Sequence, residues 1–148
     1  ASSVVVQEPA TAEASAEKSE GTAEEKGDLD IARMLTDAEQ EATILENKLA
    51  GDASLTQAAM NDLSYEIYMV WDDLLNELWG ILKECLGSED MDKLLQEQRA
   101  WITEKEAEVK AAGKEYGGGS MAALASNLKA AELTQARVAV LAEYLQEK

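Results

Sequence analysis

The chain has 148 residues, with 30 acidic and 13 basic side chains and no histidine. This length suits a single domain. The formal net charge of −17 argues against nucleic acid, because nucleic-acid binders carry basic patches, and against an anionic membrane surface. The same charge favours a cationic partner, since opposite charges steer association. It would also keep a protein soluble without any partner, so both interpretations stay open.

Residues 1–27 form a low-complexity segment of mainly Ala, Glu, Ser and Thr. Such a composition buries too little apolar surface to offset the entropy of folding, which predicts a disordered acidic tail. The segment has no basic start and no long apolar run, so no signal peptide is predicted within it. No apolar run in the chain reaches the ~20 residues of a membrane span, and no transmembrane segment is predicted.

Helical periodicity begins at Asp28, and Gly51 is a suitable end for the first helix. Its apolar stripe is the thinnest of the chain and consists of Ile31, Leu35, Ala38, Ala42, Leu45 and Leu49. A second helix is predicted from a cap at Ser54 or Thr56 to Gly87. Its stripe consists of Met60, Leu63, Ile67, Val70, Trp71, Leu74, Leu78, Ile81, Leu82 and Cys85.

A third helix is predicted from a cap at Ser88 or Asp90 to Gly113. Its inner side carries Met91, Leu94, Leu95, Gln98, Trp101, Ile102, Lys105 and Val109. A glycine run then predicts a loop, and Ser120 is predicted to cap a fourth helix. The stripe of that helix is Met121, Leu124, Leu128, Ala131, Val138, Leu141 and Leu145. Without any strand signal, the prediction is an all-α, antiparallel up-down bundle of four helices in one domain, residues 28–148.

Catalytic chemistry has little support in the composition. Without histidine the chain lacks the usual general base near neutral pH and the usual zinc ligand. Cys85 is the single cysteine, and its apolar neighbours predict a buried, unreactive thiol. Adjacent acids such as Asp72 and Asp73 are typical of a solvated face in so acidic a chain. We therefore predict that the protein is not an enzyme and has no cofactor, metal site or catalytic residue.

Two arginines lie in helical segments that also carry apolar residues. Arg99 belongs to the third helix and Arg137 to the fourth. Asp72 and Asn76, four residues apart, share a face of the second helix. Because buried charges need partners, one interpretation is a polar belt in which an arginine bridges to Asp72, Asn76 or Glu106. The other interpretation is that both arginines lie on the surface.

Six short fragments follow one another over about residues 55–145. They are Thr56, Gln57, Met60 and Asn61; Asp72, Leu75 and Asn76; Gln98 to Trp101; Glu106 to Val109; Gly118 to Ser120; and Leu133, Thr134 and Arg137. In their order and spacing they resemble the LprI-type lysozyme inhibitor family. The resemblance implies a small helical domain that is exported to the periplasm or outer cell surface, often as a lipoprotein. It also implies structural roles for the fragment residues, with Trp101 packed inside and Arg99 in a polar network.

The cysteines depart from this resemblance. Members of the family usually carry disulfides, whereas Leu63, Val109 and Lys129 stand where cysteines would be expected. A lost disulfide costs about 2–5 kcal/mol in a small exported domain. Two explanations for the missing disulfides remain open. Either the first helix compensates for the lost stability by extra burial, or the protein works in a reducing environment.

Two functions follow as hypotheses. The first is an extracytoplasmic protein-binding module that inhibits a lysozyme, because many lysozymes are cationic and an anionic domain would meet them quickly. Its candidate contact is the loop that contains Lys114, Tyr116, Gly117, Gly118, Gly119 and Ser120. Tyr116 is expected to be exposed there, although the loop could also be a plain interhelix turn. The second hypothesis is a structural or interaction domain of the cell envelope with a different partner, docked through the first helix.

Overall fold

A computed structural model describes residues 23–147 of the chain, with the side chains of residues 30–146. Four helices make up nearly all of this part: α1 Ala23–Gly51, α2 Gln57–Cys85, α3 Ser88–Lys114 and α4 Ser120–Glu147. The predicted all-α fold of four packed helices is confirmed. α1 begins at Ala23 rather than at the expected Asp28, and the rest of the predicted tail, residues 1–22, lies outside the described residues.

The second helix, α2, is the centre of the packing. It makes its most extensive contact with α4, while α1 packs mainly on α2 and α3 mainly on α4. Burial on α2 therefore extends beyond a single stripe, as the consecutive buried pair Leu74 and Leu75 shows. The peripheral position of α1 agrees with its thin apolar stripe, in which Ile31, Ala38 and Ala42 are buried.

Local sequence signals set the ends of α2 and α3. The hydroxyl of Thr56 accepts a hydrogen bond from the backbone nitrogen of Ala59 at 3.0 Å, so Thr56 caps α2 as predicted. At α3 the prediction is wrong, because Gly87 holds the cap position without a side-chain bond and Ser88 is already helical. Asp90 still favours this start, because an acidic side chain in the first turn complements the helix dipole.

The inner face of α4 differs from the predicted stripe in its first half. Met121 and Leu128 are 48% and 38% exposed, whereas Asn127 and Thr134 are buried in their place. Apolar periodicity misplaces this face because it does not register buried polar residues such as Asn127, whose side-chain amide is hydrogen-bonded inside the bundle. The remaining buried positions of the stripe agree with the prediction at Ala131, Val138, Leu141 and Leu145.

Cys85 is exposed, which contradicts the predicted buried thiol. It is the last residue of α2, and the chain leaves the helix at Leu86. The side chain of Leu86, rather than that of Cys85, is the last one at this end of α2 to enter the core. The apolar periodicity of α2 therefore ends before Cys85.

Helices α3 and α4 approach each other closely beside the loop that joins them. A Cβ atom at Gly113 would lie 2.6 Å from the hydroxyl oxygen of Ser126, closer than real Cβ contacts. The same hydroxyl donates a hydrogen bond to the carbonyl of Val109 at 3.3 Å. Gly113 thus lets the two helices pack, and α3 continues one residue beyond it to Lys114.

Candidate functional site

The predicted loop between α3 and α4 is a tight turn whose residues, from Lys114 to Ser120, are all exposed. Its first half is folded by two hydrogen bonds, from the Tyr116 amide to the Gly113 carbonyl at 3.1 Å and from the Gly117 amide to the Lys114 carbonyl at 3.0 Å. Gly117 and Gly118 have φ angles of 70° and 81°. These left-handed conformations favour glycine over any residue with a side chain.

The glycines of this turn do not pack against the rest of the protein. A Cβ atom at Gly117, Gly118 or Gly119 would meet nothing within 4 Å. At Gly119 the backbone is not left-handed either, so neither space nor conformation requires a glycine there. The amides of Gly118 and Gly119 donate to no backbone acceptor among the described residues. The turn therefore presents bare backbone donors to solvent.

Two large hydrophobic side chains flank these glycines. Tyr116 is 50% exposed, as predicted, and Met121 is 48% exposed. Met121 was expected in the core, so sequence reasoning missed it as a surface residue. Its position in the first turn of α4, one residue after Ser120, is the signal that could have shown it. We call residues 114–121 the exposed turn.

Hydrogen bonds from α2 and α4 fix the base of the exposed turn. The side-chain amide of Asn61 donates to the carbonyl of Ser120 at 3.1 Å. Gln57 donates to the side-chain oxygen of Asn61 at 3.0 Å, and Asn127 donates to its backbone carbonyl at 3.3 Å. Two of the sequence fragments, one around Asn61 and one ending at Ser120, are therefore in direct contact.

A second cluster, which includes the fragment residues Asp72 and Trp101, lies inside the bundle around Lys105 of α3. Lys105 is 2% exposed, and its ammonium group donates to the hydroxyl of Tyr68 at 2.7 Å. The same nitrogen lies 4.6 Å from the ring centre of Tyr68 and 5.2 Å from that of Trp101. Both distances suit cation–π attraction. Asp72, also 2% exposed, supplies an opposite charge one turn away from Tyr68.

Burial has the largest effect on the pKa values of the groups in this cluster. It lowers the pKa of Lys105 to about 8, although the carboxylates of Asp72 and Glu106 oppose the shift. It raises the pKa of Asp72, against the opposing effect of Lys105, and it raises the pKa of Tyr68. A lysine with a lowered pKa can serve in catalysis. The burial of Lys105 leaves a substrate no access to it, and its role here is to satisfy charge inside the core.

Arg137 of α4 extends the polar cluster toward the surface. Its Nε atom donates to the side-chain oxygen of Gln98 at 2.7 Å, and its Nη2 atom lies 3.8 Å from a carboxylate oxygen of Glu97. Tyr144 donates to the same carboxylate at 3.2 Å. The guanidinium carbon lies 6.0 Å from the ring centre of Trp101. Burial lowers the pKa of Arg137, and the charge of Glu97 opposes that shift.

The predicted bridges from an arginine to Asp72, Asn76 or Glu106 are not among the hydrogen bonds and ion pairs of the described residues, and the polar groups inside the bundle have other partners. Arg99 and Glu106 are exposed, and Asn76 is half-buried. The described hydrogen bond of Arg99 is made by its carbonyl, which accepts from Thr103 at 3.2 Å. Lys105, rather than Arg99, supplies the buried charge opposite Asp72. The sequence had already placed Lys105 on the inner face of its helix, and a lysine at such a position was the signal for this role.

Three buried polar atoms beside this cluster have no hydrogen-bond partner among the described residues. They are Nε2 of Gln98, Oγ1 of Thr134 and Nη2 of Arg137. A buried polar group left unsatisfied costs about 1–3 kcal/mol. Nη2 of Arg137 still lies 3.8 Å from a carboxylate oxygen of Glu97, so this cost falls mainly on Gln98 and Thr134.

Metal binding and membrane crossing find no support in the described part of the chain. Within residues 30–146, no group of three or more His, Cys, Asp or Glu side chains is arranged to hold a metal ion. None of the four helices, as far as they are described, combines the length and apolarity that crossing a membrane requires.

Residues 50–141 match the model of one protein family, described as lysozyme inhibitor LprI. The chain belongs to the LprI family. The family is one of inhibitors rather than enzymes. The matched segment contains α2, α3, the exposed turn and most of α4, and nearly all of α1 lies outside it. Searches among curated proteins and among solved structures found no match to this chain.

Three positions of this LprI-family chain were expected to be cysteines. Val109 is buried in the core, and Leu63 is half-buried. Lys129 lies at the surface of α4, where its ammonium group is 3.4 Å from a carboxylate oxygen of Glu132. Packing at Val109 and an ion pair at Lys129 therefore occupy positions at which a disulfide was expected.

Proposed function

We propose that this LprI-family protein acts outside the cytoplasm and inhibits a lysozyme by direct binding. The observation that carries the proposal is the family match over residues 50–141, a segment that includes the exposed turn. The peptidoglycan that lysozymes cleave lies outside the cytoplasm, which is why the proposal places the protein there.

The exposed turn is the proposed contact with the enzyme. Its glycines expose backbone amides that can donate hydrogen bonds in a substrate cleft, and the Ser120 hydroxyl adds another polar group. Tyr116 and Met121 supply apolar surface on either side, and tyrosine is enriched at the energetic centres of interfaces. A glycoside hydrolase cleaves its substrate between two carboxyl groups. The ammonium group of Lys114, at the start of the turn, is the proposed partner of that negative charge.

The base of the turn supports the proposal because it reduces the cost of binding. Asn61, Gln57 and Asn127 hold the end of the turn through hydrogen bonds to α2 and α4. The close approach of α3 and α4 at Gly113 fixes its start. A loop that is already ordered loses less conformational entropy when it enters a cleft.

The net charge of −17 supports fast association with a cationic enzyme, while the shape of the turn provides specificity. These two contributions respond differently to salt. Attraction between exposed charges weakens as ionic strength rises, whereas packing and hydrogen bonds in a closed cleft persist.

The experiment is a peptidoglycan lysis assay with several classes of lysozyme, in which the protein is titrated at low and at moderate salt. We expect dose-dependent inhibition of at least one class that persists at moderate salt. Inhibition confined to low salt would mean nonspecific charge pairing. No inhibition of any class would favour an envelope interaction domain with another partner.

A further inference from the structure

A groove between α1 and α2 combines an apolar floor with an acidic rim. It encloses about 570 Å³, within the usual size range of ligand pockets. Its floor includes the half-buried side chains of Met34 and Leu45 from α1 and of Met69 and Val70 from α2. From Met34 to Leu45 the groove follows α1 for about 16 Å, three helical turns.

The rim carries five carboxylates, all on exposed residues. They are Asp37 and Glu41 of α1 and Glu66, Asp73 and Glu77 of α2. Among the described residues none of them forms an ion pair with a lysine or an arginine. The pairs Asp37 with Glu41 and Asp73 with Glu77 are spaced four residues apart, a like-charge arrangement that destabilises a helix.

On the α2 side of the groove, burial changes the pKa values of two of these carboxylates. It raises the pKa of Asp73 and of Glu77, and the charge of Asp73 raises the pKa of Glu77 further. These two carboxylates are thus partly desolvated and have no counter-charge in the described part of the chain. A positive charge placed in the groove would stabilise the ionised forms of both carboxylates.

We propose that this groove is a docking site for a cationic amphipathic helix of a partner protein, with apolar side chains on the floor and lysines or arginines at the rim. Methionine-rich floors adapt to different apolar side chains, which suits Met34 and Met69 to this role. The length of the groove fits about three turns of a bound helix. The whole of its α1 side lies outside the family match at residues 50–141, so the site goes beyond the proposed inhibition and does not depend on the exposed turn.

Net charge distinguishes the cationic helix from two other possible occupants of the groove. These are a second copy of this chain and the chain's own first 22 residues. A second copy brings a net charge of −17, which the rim would repel. The chain's own first 22 residues are also acidic, with Glu8, Glu13, Glu17 and Glu20 against Lys18. Neither of these acidic occupants is complementary in charge to the five carboxylates of the rim, whereas a cationic partner is complementary to them.

The test uses the full chain and a synthetic peptide of about 12 residues, long enough for three turns, with leucines on one face and lysines on the other. Its affinity is measured by calorimetry at moderate salt. A peptide of the same composition in scrambled order, without an apolar face, is the peptide control. We expect Asp73→Asn/Glu77→Gln to weaken binding about tenfold, the equivalent of ~1.4 kcal/mol.

The matched control variant is Glu104→Gln/Glu108→Gln, which removes the same charge from an exposed pair on α3 with the same spacing. We expect it to change the affinity less than about twofold, since exposed charges contribute little at a distance. Equal weakening by both variants, equal binding of the scrambled peptide, or no binding would each overturn the proposal.

A second measurement locates the bound peptide. The chain has five methionines, and the NMR signal of each methyl group reports on the surroundings of its own side chain. We expect the peptide to shift the signals of Met34 and Met69 and to leave those of Met91 and Met121 in place. Shifts confined to Met121 would overturn the proposal by moving the site to the exposed turn. Shifts of Met34 and Met69 caused by protein concentration alone would overturn it in favour of a second copy.

Discussion

The side chain of Asn61 holds the backbone of Ser120, with 3.1 Å between the amide nitrogen and the carbonyl oxygen, across 59 positions of the chain. This bond joins the first turns of α2 to the end of the exposed turn. Because Asn61 also accepts from Gln57 and Asn127, one residue links the turn to two helices. The exposed turn is therefore held at its base and open at its tip.

The first prediction concerns this link. Asn61→Ala removes the donor to Ser120, and we expect it to lower the free energy of unfolding by about 1 kcal/mol, the usual contribution of such a bond. Hydrogen exchange at the two bonded amides of the turn, those of Tyr116 and Gly117, should accelerate. Asn76→Ala, on the same helix and half-buried, is the control and should leave that exchange unchanged. Unchanged exchange in Asn61→Ala would show that the turn is ordered without this bond.

The second prediction concerns pH. The pKa of Lys105 is lowered to about 8 from 10.5, so between these values the unfolded chain binds more protons than the folded protein. The free energy of unfolding should therefore rise with pH from about 8 to about 9, before the tyrosines of the unfolded chain, whose ordinary pKa is about 10, lose their protons. At higher pH the raised pKa of Tyr68 has the opposite effect on stability.

This rise is measured by urea unfolding at several pH values. Lys105→Met should abolish it, because the variant has no group at this position that loses a proton. Lys110→Met, at an exposed position of the same helix, is the control and should retain the rise. A rise of the same size in Lys105→Met would mean that another group causes it.

The third prediction concerns Thr134, whose buried hydroxyl has no hydrogen-bond partner among the described residues. Valine has nearly the same shape and no polar atom. We expect Thr134→Val to increase the free energy of unfolding by about 1 kcal/mol, because the cost of burying the hydroxyl is removed. Thr103→Val, at an exposed site where the hydroxyl bonds to Arg99, is the control. A loss of stability in Thr134→Val would show that the hydroxyl is satisfied in the folded protein.

The fourth prediction concerns the close approach of α3 and α4. Gly113→Ala places a methyl group against the Ser126 hydroxyl, and we expect the resulting crowding to cost about 1–2 kcal/mol. The better helix propensity of alanine offsets part of that cost. In a Ser126→Ala background the same substitution should be less harmful. A double-mutant cycle measures the difference, and strictly additive effects would contradict the contact.

The helices themselves could largely be predicted from the sequence. Apolar periodicity gave four helices, and Thr56 gave the start of α2. The start of α3 could not be read in the same way, because Gly87 caps it through backbone geometry rather than through a side chain. Helix α2 also packs extensively against both α1 and α4, and a single stripe cannot describe a helix that is buried on more than one side.

The polar core was harder to predict for a different reason. Periodicity places Lys105 and Gln98 on the inner face of α3, but it does not say which groups on α2 and α4 they will meet. Asp72 and Arg137 were proposed as partners in a belt, yet Arg99 was given the role that Lys105 has. Side chains of this length can reach several neighbours, so the choice depends on distances between helices that no sequence pattern contains.

The groove between α1 and α2 could not be predicted at all. Its acidic residues are visible in the sequence as ordinary surface charge. The apolar floor forms only because α1 and α2 leave Met34 and Met69 half-covered between them. Likewise, Tyr116 was expected at the surface, whereas Met121 was not. The exposure of Met121 depends on the point at which α4 first packs against the neighbouring helices.

One comparison of variants shows whether the exposed turn is the part of the protein that inhibits a lysozyme. The inhibition constant is measured at moderate salt for the original chain, for Tyr116→Ala/Met121→Ala, and for Ile44→Ala/Val140→Ala as a control at exposed hydrophobic residues elsewhere. We predict that the turn variant loses at least about tenfold in inhibition, since interface anchors of this kind contribute more than 1 kcal/mol each, and that the control loses none. Equal inhibition by all three proteins would contradict the account.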